Sequence, residues 1–151
     1  MAEHLIEILL VEDNPNDAEL SLYALRKHRI ANRVHHSKDG AEAIDYLFGE
    51  GAYRGRNIDE TPKVVLLDLK LPKVDGLAVL KRIKSDPRTR HIPVVILTSS
   101  SEERDIVNCY KLGVNSYLVK PIDFEQFSES VRQLGLYWVQ LNESPVSRQD
   151  E

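Results

Sequence analysis

Short apolar runs alternate along the chain with longer stretches in which apolar residues recur every three or four positions. Each run is too short for a buried helix, and polar residues rarely alternate with apolar ones inside it. Such continuous runs are typical of strands that are covered on both faces, as in a parallel sheet. The pattern therefore predicts five strands, of which the second is the weakest, at residues 6–11, 33–36, 64–69, 94–98 and 116–119.

The intervals between these runs have the periodicity of amphipathic helices. Asn14 is a suitable N-cap for the first helix, with Pro15 at the first helical position. Gly113 is suited to the turn that ends the fourth helix. Alternating strands and helices form right-handed crossovers, which predicts an α/β fold with a doubly wound parallel sheet. The expected helices cover about residues 15–25, 40–47, 76–86, 102–112 and 123 to beyond 134.

The composition is that of one folded domain, with 151 residues of which 42% are hydrophobic and 29% are charged. The 20 basic and 24 acidic residues lack the basic excess of proteins that neutralise nucleic-acid phosphates, so we expect no DNA partner. A single cysteine favours a reducing, cytoplasmic location. No apolar run approaches the roughly 20 residues of a membrane span. We expect one domain over residues 1–141, with an extended C-terminal helix, and a flexible tail over residues 142–151.

Polar side chains stand where the predicted strands end. Glu12 and Asp13 follow the first run, and Asp68 lies near the end of the third. Thr98 and Lys120 occupy the ends of the last two runs, and parallel sheets bring such strand ends together. Neighbouring carboxylates repel one another unless a hard cation such as Mg²⁺ joins them. Because an ammonium group and a hydroxyl can hold phosphoryl oxygens, the pattern indicates a phosphoryl-accepting aspartate.

Longer motifs around these positions resemble the receiver domains of two-component response regulators. The resemblance extends over essentially the whole chain, and every functional position is filled. It implies a flavodoxin-like (βα)5 fold and a signalling module rather than an enzyme. The matching segments are Ile-Leu-Leu-Val-Glu-Asp at 8–13, Leu-Asp-Leu-Lys-Leu-Pro-Lys-Val-Asp-Gly at 67–76, Thr-Ser at 98–99, Tyr117, and Lys-Pro at 120–121.

The resemblance implies a role for each of these polar residues. Asp68 would accept a phosphoryl group from a kinase histidine, and Thr98 and Lys120 would hold the phosphoryl oxygens. Thr98 would move towards that group and leave space that the Tyr117 ring can fill, which makes this pair the expected switch. The implied Mg²⁺ ligands are Glu12, Asp13, Asp68 and the backbone carbonyl of Lys70.

Further segments are similar to the single-domain response regulators of bacterial and cyanobacterial phytochromes. This closer likeness implies that the partner is a sensor histidine kinase of the phytochrome type, which responds to red light. The segments lie outside the strand-end motifs or extend them, at residues 49–53, 113–117, 120–124 and 134–138.

Two other functions compete with a response regulator. An aspartyl-phosphate enzyme of the haloacid-dehalogenase type typically carries Asp-x-Asp, whose second acid acts as the acid/base. Here Lys70 stands at that second position and cannot do this work. An unphosphorylated dimeric scaffold would need neither Asp68 nor Lys120, and both are present. We therefore favour a response regulator whose phosphorylation changes its partner binding or dimerisation.

A stripe of apolar residues follows the predicted fifth helix at intervals of three and four positions. Apolar surface that continues past the edge of a sheet usually marks an interface, so we expect a homodimer. The alternative is an elongated helix that packs entirely in the core. The expected interface residues are Phe127, Val131, Leu134, Trp138 and Leu141.

Overall fold

The computed structural model describes residues 6–27, 29–30 and 33–143 of the chain. Its strands are β1 (Ile8–Val11), β2 (Val34–Ser37), β3 (Val64–Leu67), β4 (Val94–Thr98) and β5 (Ser116–Val119). They form one parallel sheet in the order β2-β1-β3-β4-β5. All five predicted strands are present, although β3 ends just before Asp68 rather than after it.

Helices fill the predicted intervals between the strands. Aspartates cap three of them, because the side chains of Asp39, Asp75 and Asp123 accept hydrogen bonds from amides of the first helical turn. These caps fix where each helix begins relative to the preceding strand or loop. The helices are α1 (Pro15–Lys27), α2 (Gly40–Phe48), a short 3₁₀ helix (Gly51–Tyr53), α3 (Gly76–Ser85), α4 (Glu103–Lys111), α5 (Phe124–Gly135) and a π segment (Leu136–Leu141).

The hydrophobic core lies on both faces of the sheet. Leu9 and Val11 of β1 pack with residues of α2, α3 and α4. Ile8 and Leu10 point the other way and pack with residues of α1 and α5. Since helices cover both faces, β1 and β3 carry only apolar side chains and β4 has a single polar one, Thr98, as the continuous apolar runs predicted. The doubly wound α/β architecture is therefore confirmed.

The structure divides the apolar stripe of α5 between core and surface. Phe127 and Val131 are 3% and 0% exposed and belong to the core shared with α1. The prediction that these two residues lie on a dimer surface is wrong, because their face of α5 covers the sheet. Leu134 and Trp138 are partly buried against the same core, whereas Leu141 is 64% exposed.

The last helix continues beyond α5 as the π segment, which confirms the extended C-terminal helix. Gly135 lies at the junction, where a Cβ atom would stand 2.6 Å from Leu25 and 2.7 Å from Ile30. Val139 of the π segment is buried, and its carbonyl accepts a hydrogen bond from Lys63 at 3.2 Å. The predicted tail at residues 142–151 lies outside the described residues from 144 onwards. Within the described ranges, no helix is both long and apolar enough to cross a bilayer.

Candidate functional site

The carboxyl ends of β1 and β3 meet at the point where the helices change from one face of the sheet to the other. Ligand sites of open α/β sheets occur at this position. Glu12 and Asp13 leave β1, and Asp68 leaves β3 beside them. Each of these residues offers a carboxylate oxygen, and the three oxygens lie within 4.8 Å of one another. The fold therefore assembles the acidic cluster that the strand ends predicted.

Lys120, which follows β5, reaches across the sheet edge into this cluster. Its ammonium nitrogen lies 2.7 Å from Glu12 Oε1, 2.8 Å from Asp68 Oδ2 and 2.8 Å from Asp17 Oδ2. The Lys120 side chain is only 9% exposed, so carboxylates rather than water stabilise its charge. Burial without such partners would be costly.

Asp17 is the hydrogen-bond partner of Lys120 that sequence reasoning missed. It is the third residue of α1, and Asn14 caps that helix by accepting hydrogen bonds from the amides of Asn16 and Asp17 at 2.9 and 3.0 Å. The predicted cap is thus present, and it fixes the start of α1 shortly after the end of β1. An acidic residue in the first turn of a helix that directly follows β1 was the available signal.

The electrostatic surroundings keep Asp68 ionised. Burial alone would raise the pKa of its carboxyl, but hydrogen bonds from Lys120, Thr98 and the Lys70 amide bring the pKa below the usual value. Burial would likewise lower the pKa of Lys120, yet its three carboxylate partners raise the pKa above the usual value. An ionised carboxylate next to an ammonium group is the state that a phosphoryl acceptor requires.

Glu12 behaves differently from its neighbour. Burial, together with the negative charge of Asp68, raises the pKa of Glu12 to about 7, although the contacts with Lys120 oppose this shift. Without a further positive charge, keeping both Glu12 and Asp68 ionised therefore costs free energy. A divalent cation would supply that charge.

The donor set fits Mg²⁺ or a similar hard cation. Glu12, Asp13 and Asp68 offer only oxygen ligands, and Asp13 is exposed, so that a bound ion could keep several waters. The amide of Lys70 donates to Asp68 Oδ1 at 3.3 Å, which brings the Lys70 backbone next to the cluster. Its carbonyl remains a predicted ligand.

The two expected switch residues are joined through one loop. Thr98 is fully buried beside Asp68, and its hydroxyl oxygen accepts a hydrogen bond from the Ser100 amide at 3.4 Å. The Tyr117 hydroxyl donates to the Ser100 carbonyl at 2.8 Å. Ser100 also donates its hydroxyl to Asp105 of α4 at 2.6 Å. The Tyr117 side chain is partly buried against the core in this structure.

Gly76 fixes the loop that carries Asp68. Its amide donates to the Leu69 carbonyl at 2.8 Å. A Cβ atom at Gly76 would lie 2.1 Å from the Asp68 carbonyl oxygen and 2.5 Å from the Leu69 Cα. Both contacts involve backbone, which cannot easily move aside, so this position requires glycine for close packing rather than for unusual dihedral angles.

Comparison with known proteins gives similar chains from several organisms. The chain is 45% identical over 95% of its length to a probable methanogenesis regulatory protein, FilR2, of Methanothrix harundinacea, and covers 90% of that protein. It is 36% identical to the response regulator Rcp1 of a Synechocystis strain, with 93% of each chain covered.

Solved structures of response regulators are also similar to this chain. A Mn²⁺-bound form of Rcp1 superposes with a TM-score of 0.85, at 36% identity over 93% of this chain and 99% of that one. The bacteriophytochrome response regulator AtBRR is 56% identical with a TM-score of 0.72, over 93% of this chain and 99% of that one. Residues 8–132 also match the profile of the response regulator receiver domain. The acidic pocket, the sheet order and these similarities together show that the chain belongs to the response regulator receiver domain family.

Proposed function

We propose that Asp68 is the phosphoryl acceptor of this receiver domain and that a sensor histidine kinase supplies the phosphoryl group. The observation that carries the proposal is the Asp68 carboxylate, 8% exposed and 2.8 Å from the Lys120 ammonium group, beside two further acids. Family membership supports transfer from a kinase. The Asp-x-Asp chemistry of haloacid-dehalogenase enzymes finds no support in these relatives, and Lys70 is exposed rather than poised on the site.

Each residue of the site contributes one step. An oxygen of Asp68 forms the new bond to phosphorus while the bond from phosphorus to the donor's histidine nitrogen breaks. The Lys120 ammonium group and the Thr98 hydroxyl donate hydrogen bonds to oxygens of the transferred group, where negative charge is concentrated. Mg²⁺, held by Glu12, Asp13, Asp68 and the Lys70 carbonyl, would offset the repulsion between the acceptor and the incoming phosphate.

The expected kinase is of the phytochrome type, and the proposal includes a cytoplasmic location. The similarity to a bacteriophytochrome response regulator at 56% identity supports this partner. The chain is also 45% identical to a probable methanogenesis regulatory protein, so the kinases tested should not be limited to the phytochrome type. The rates at which a panel of purified kinases phosphorylates the protein would identify the partner. A phytochrome-type kinase is expected to be the fastest.

Homodimerisation through the outer face of the last helix is part of the proposal. Exposed apolar side chains are present on β5, on the following turn and along α5 and the π segment. A groove of about 290 Å³ is lined by Leu118, Leu134, Tyr137 and Trp138, among other residues. The exposed residues are Val119, Ile122, Phe124, Tyr137 and Leu141.

Intact-mass measurement tests the acceptor assignment. Incubation with acetyl phosphate and Mg²⁺ is expected to add one phosphoryl group, and Asp68→Asn is expected to abolish the addition because the amide is not a nucleophile. Asp59→Asn, an exposed substitution of the same kind, is the control and should be labelled as fast as wild type. Normal labelling of the Asp68→Asn protein would refute the assignment.

A further inference from the structure

Lys120 has no hydrogen-bond donor left for a phosphoryl oxygen. An ammonium group carries three protons. The three carboxylates of Glu12, Asp17 and Asp68 lie at 2.7, 2.8 and 2.8 Å from the nitrogen and account for all of them. Any phosphoryl group that Lys120 holds must therefore displace one of these acids.

The three acids differ in what their release would cost. The side chains of Glu12 and Asp68 are 4% and 8% exposed, so water cannot readily replace Lys120 as the hydrogen-bond partner of either. The Asp17 side chain is 27% exposed and comes from a helix at the rim of the site. Water can replace Lys120 as its partner, so this contact is the cheapest of the three to break.

Asp17 also differs in its place within the site. Glu12 and Asp68 belong to the cluster of carboxylates that fits a cation, and Asp17 is not a member of it. It has no part in the proposed transfer other than its contact with Lys120. Its carboxylate therefore competes for Lys120 without contributing to the cluster that fits the cation.

We propose that Asp17 is a positioning residue that holds Lys120 in the unphosphorylated protein and is displaced by the phosphoryl group. The competition limits how strongly the phosphorylated state is favoured. This inference rests on the proposed phosphorylation of Asp68. It predicts that weakening the contact between Asp17 and Lys120 shifts the protein towards the phosphorylated state.

Beryllofluoride, a compact analogue of the phosphoryl group, provides the probe. Its affinity for the full chain at saturating Mg²⁺ can be measured by ¹⁹F NMR titration. Asp17→Asn keeps the side-chain size but leaves a neutral, weaker acceptor, so the affinity should rise about three- to tenfold. Glu19→Gln removes the same charge from an exposed position of α1 and should change the affinity less than about twofold. Asp17→Glu restores the charge and should return the affinity towards wild type.

A double-mutant cycle separates the contact from simple repulsion between Asp17 and the analogue. In a Lys120→Met background, Asp17→Asn should no longer increase the affinity, because its competition acts through Lys120. Equal affinities of the Asp17→Asn and Glu19→Gln proteins would overturn the inference, even if the Lys120 variant fails to fold. A wild-type protein that does not bind beryllofluoride with Mg²⁺ would instead count against the proposed function itself.

Discussion

At the scale of single residues, contacts between opposite charges offset the cost of burying the ionised side chains of the site. Asp68 and Lys120 are both almost fully covered, and each keeps the other ionised. Glu12 lies in the same environment, but the charge of Asp68 acts against its ionisation. Repulsion between Glu12 and Asp68 therefore destabilises the acidic site as long as no cation is bound. Its stability should depend on pH and on metal.

The first prediction concerns Glu12 in the absence of divalent metal. Because its pKa is raised from 4.5 to about 7, Glu12 stays protonated in the folded protein where the unfolded chain has lost the proton. Unfolding then releases a proton, so the free energy of unfolding should fall, on the order of 2 kcal/mol, as the pH rises through this window.

Urea unfolding at about pH 5 and about pH 7 measures this effect. Glu12→Gln cannot titrate and should lose less stability between the two pH values than the wild type does. Saturating Mg²⁺ should also reduce the loss in the wild type. An identical pH dependence in wild type and variant would show that Glu12 is not the responsible group.

At the scale of the elements, the loop from β4 to α4 links the acceptor to the outer surface. The Ser100 carbonyl accepts from Tyr117 on β5, and the Ser100 hydroxyl donates to Asp105 on α4. Thr98, at the end of β4, contacts both Asp68 and the Ser100 amide. A change at Asp68 can therefore alter the balance of contacts on this loop without moving the sheet.

A second prediction follows for Tyr117→Phe, which keeps the ring and removes one hydrogen bond. The variant should lose about 1 kcal/mol of local stability in the loop, which amide hydrogen exchange of residues 99–102 would detect. Tyr110→Phe, on the exposed face of α4, is the control and should leave this exchange unchanged. Unchanged exchange in the Tyr117 variant would mean that the hydroxyl does not order the loop.

The elements also show which sequence signals were sufficient. The strands were predictable because both faces of the sheet are covered, which leaves uninterrupted apolar runs such as that of β4. The α5 stripe was misread at Phe127 and Val131, because helical periodicity does not distinguish a face that covers a sheet from one that covers a partner. Asp17 was missed because its role depends on a contact with Lys120, more than 100 residues away in the chain.

At the scale of the whole molecule, the proposed dimer surface is limited to apolar residues that are exposed because they do not pack in the core. Leu141 and Tyr137 are 64% and 50% exposed on the π segment, and Tyr137 lines the groove beside Trp138. Burying several such side chains in a symmetric pair can offset the entropy lost on association. The same helix face would then meet itself across a two-fold axis.

Light scattering at micromolar concentration should accordingly give the mass of a dimer. Leu141→Glu should shift the protein to monomer, because it places two charges close together at the proposed interface. Tyr23→Glu alters a similarly exposed residue, 52% accessible, on α1 and should leave the dimer intact. A wild type that stays monomeric with and without phosphoryl donor would remove dimerisation from the proposal.

Phosphorylation of Asp68 underlies the other proposals, and locating the modified residue tests it without relying on a variant. Borohydride reduces an aspartyl phosphate to homoserine, which peptide mass spectrometry can place in the sequence after incubation with kinase or acetyl phosphate and Mg²⁺. We expect homoserine at position 68 alone, with Asp13 and Asp17 unchanged. Homoserine at either of those residues, with Asp68 intact, would contradict this expectation.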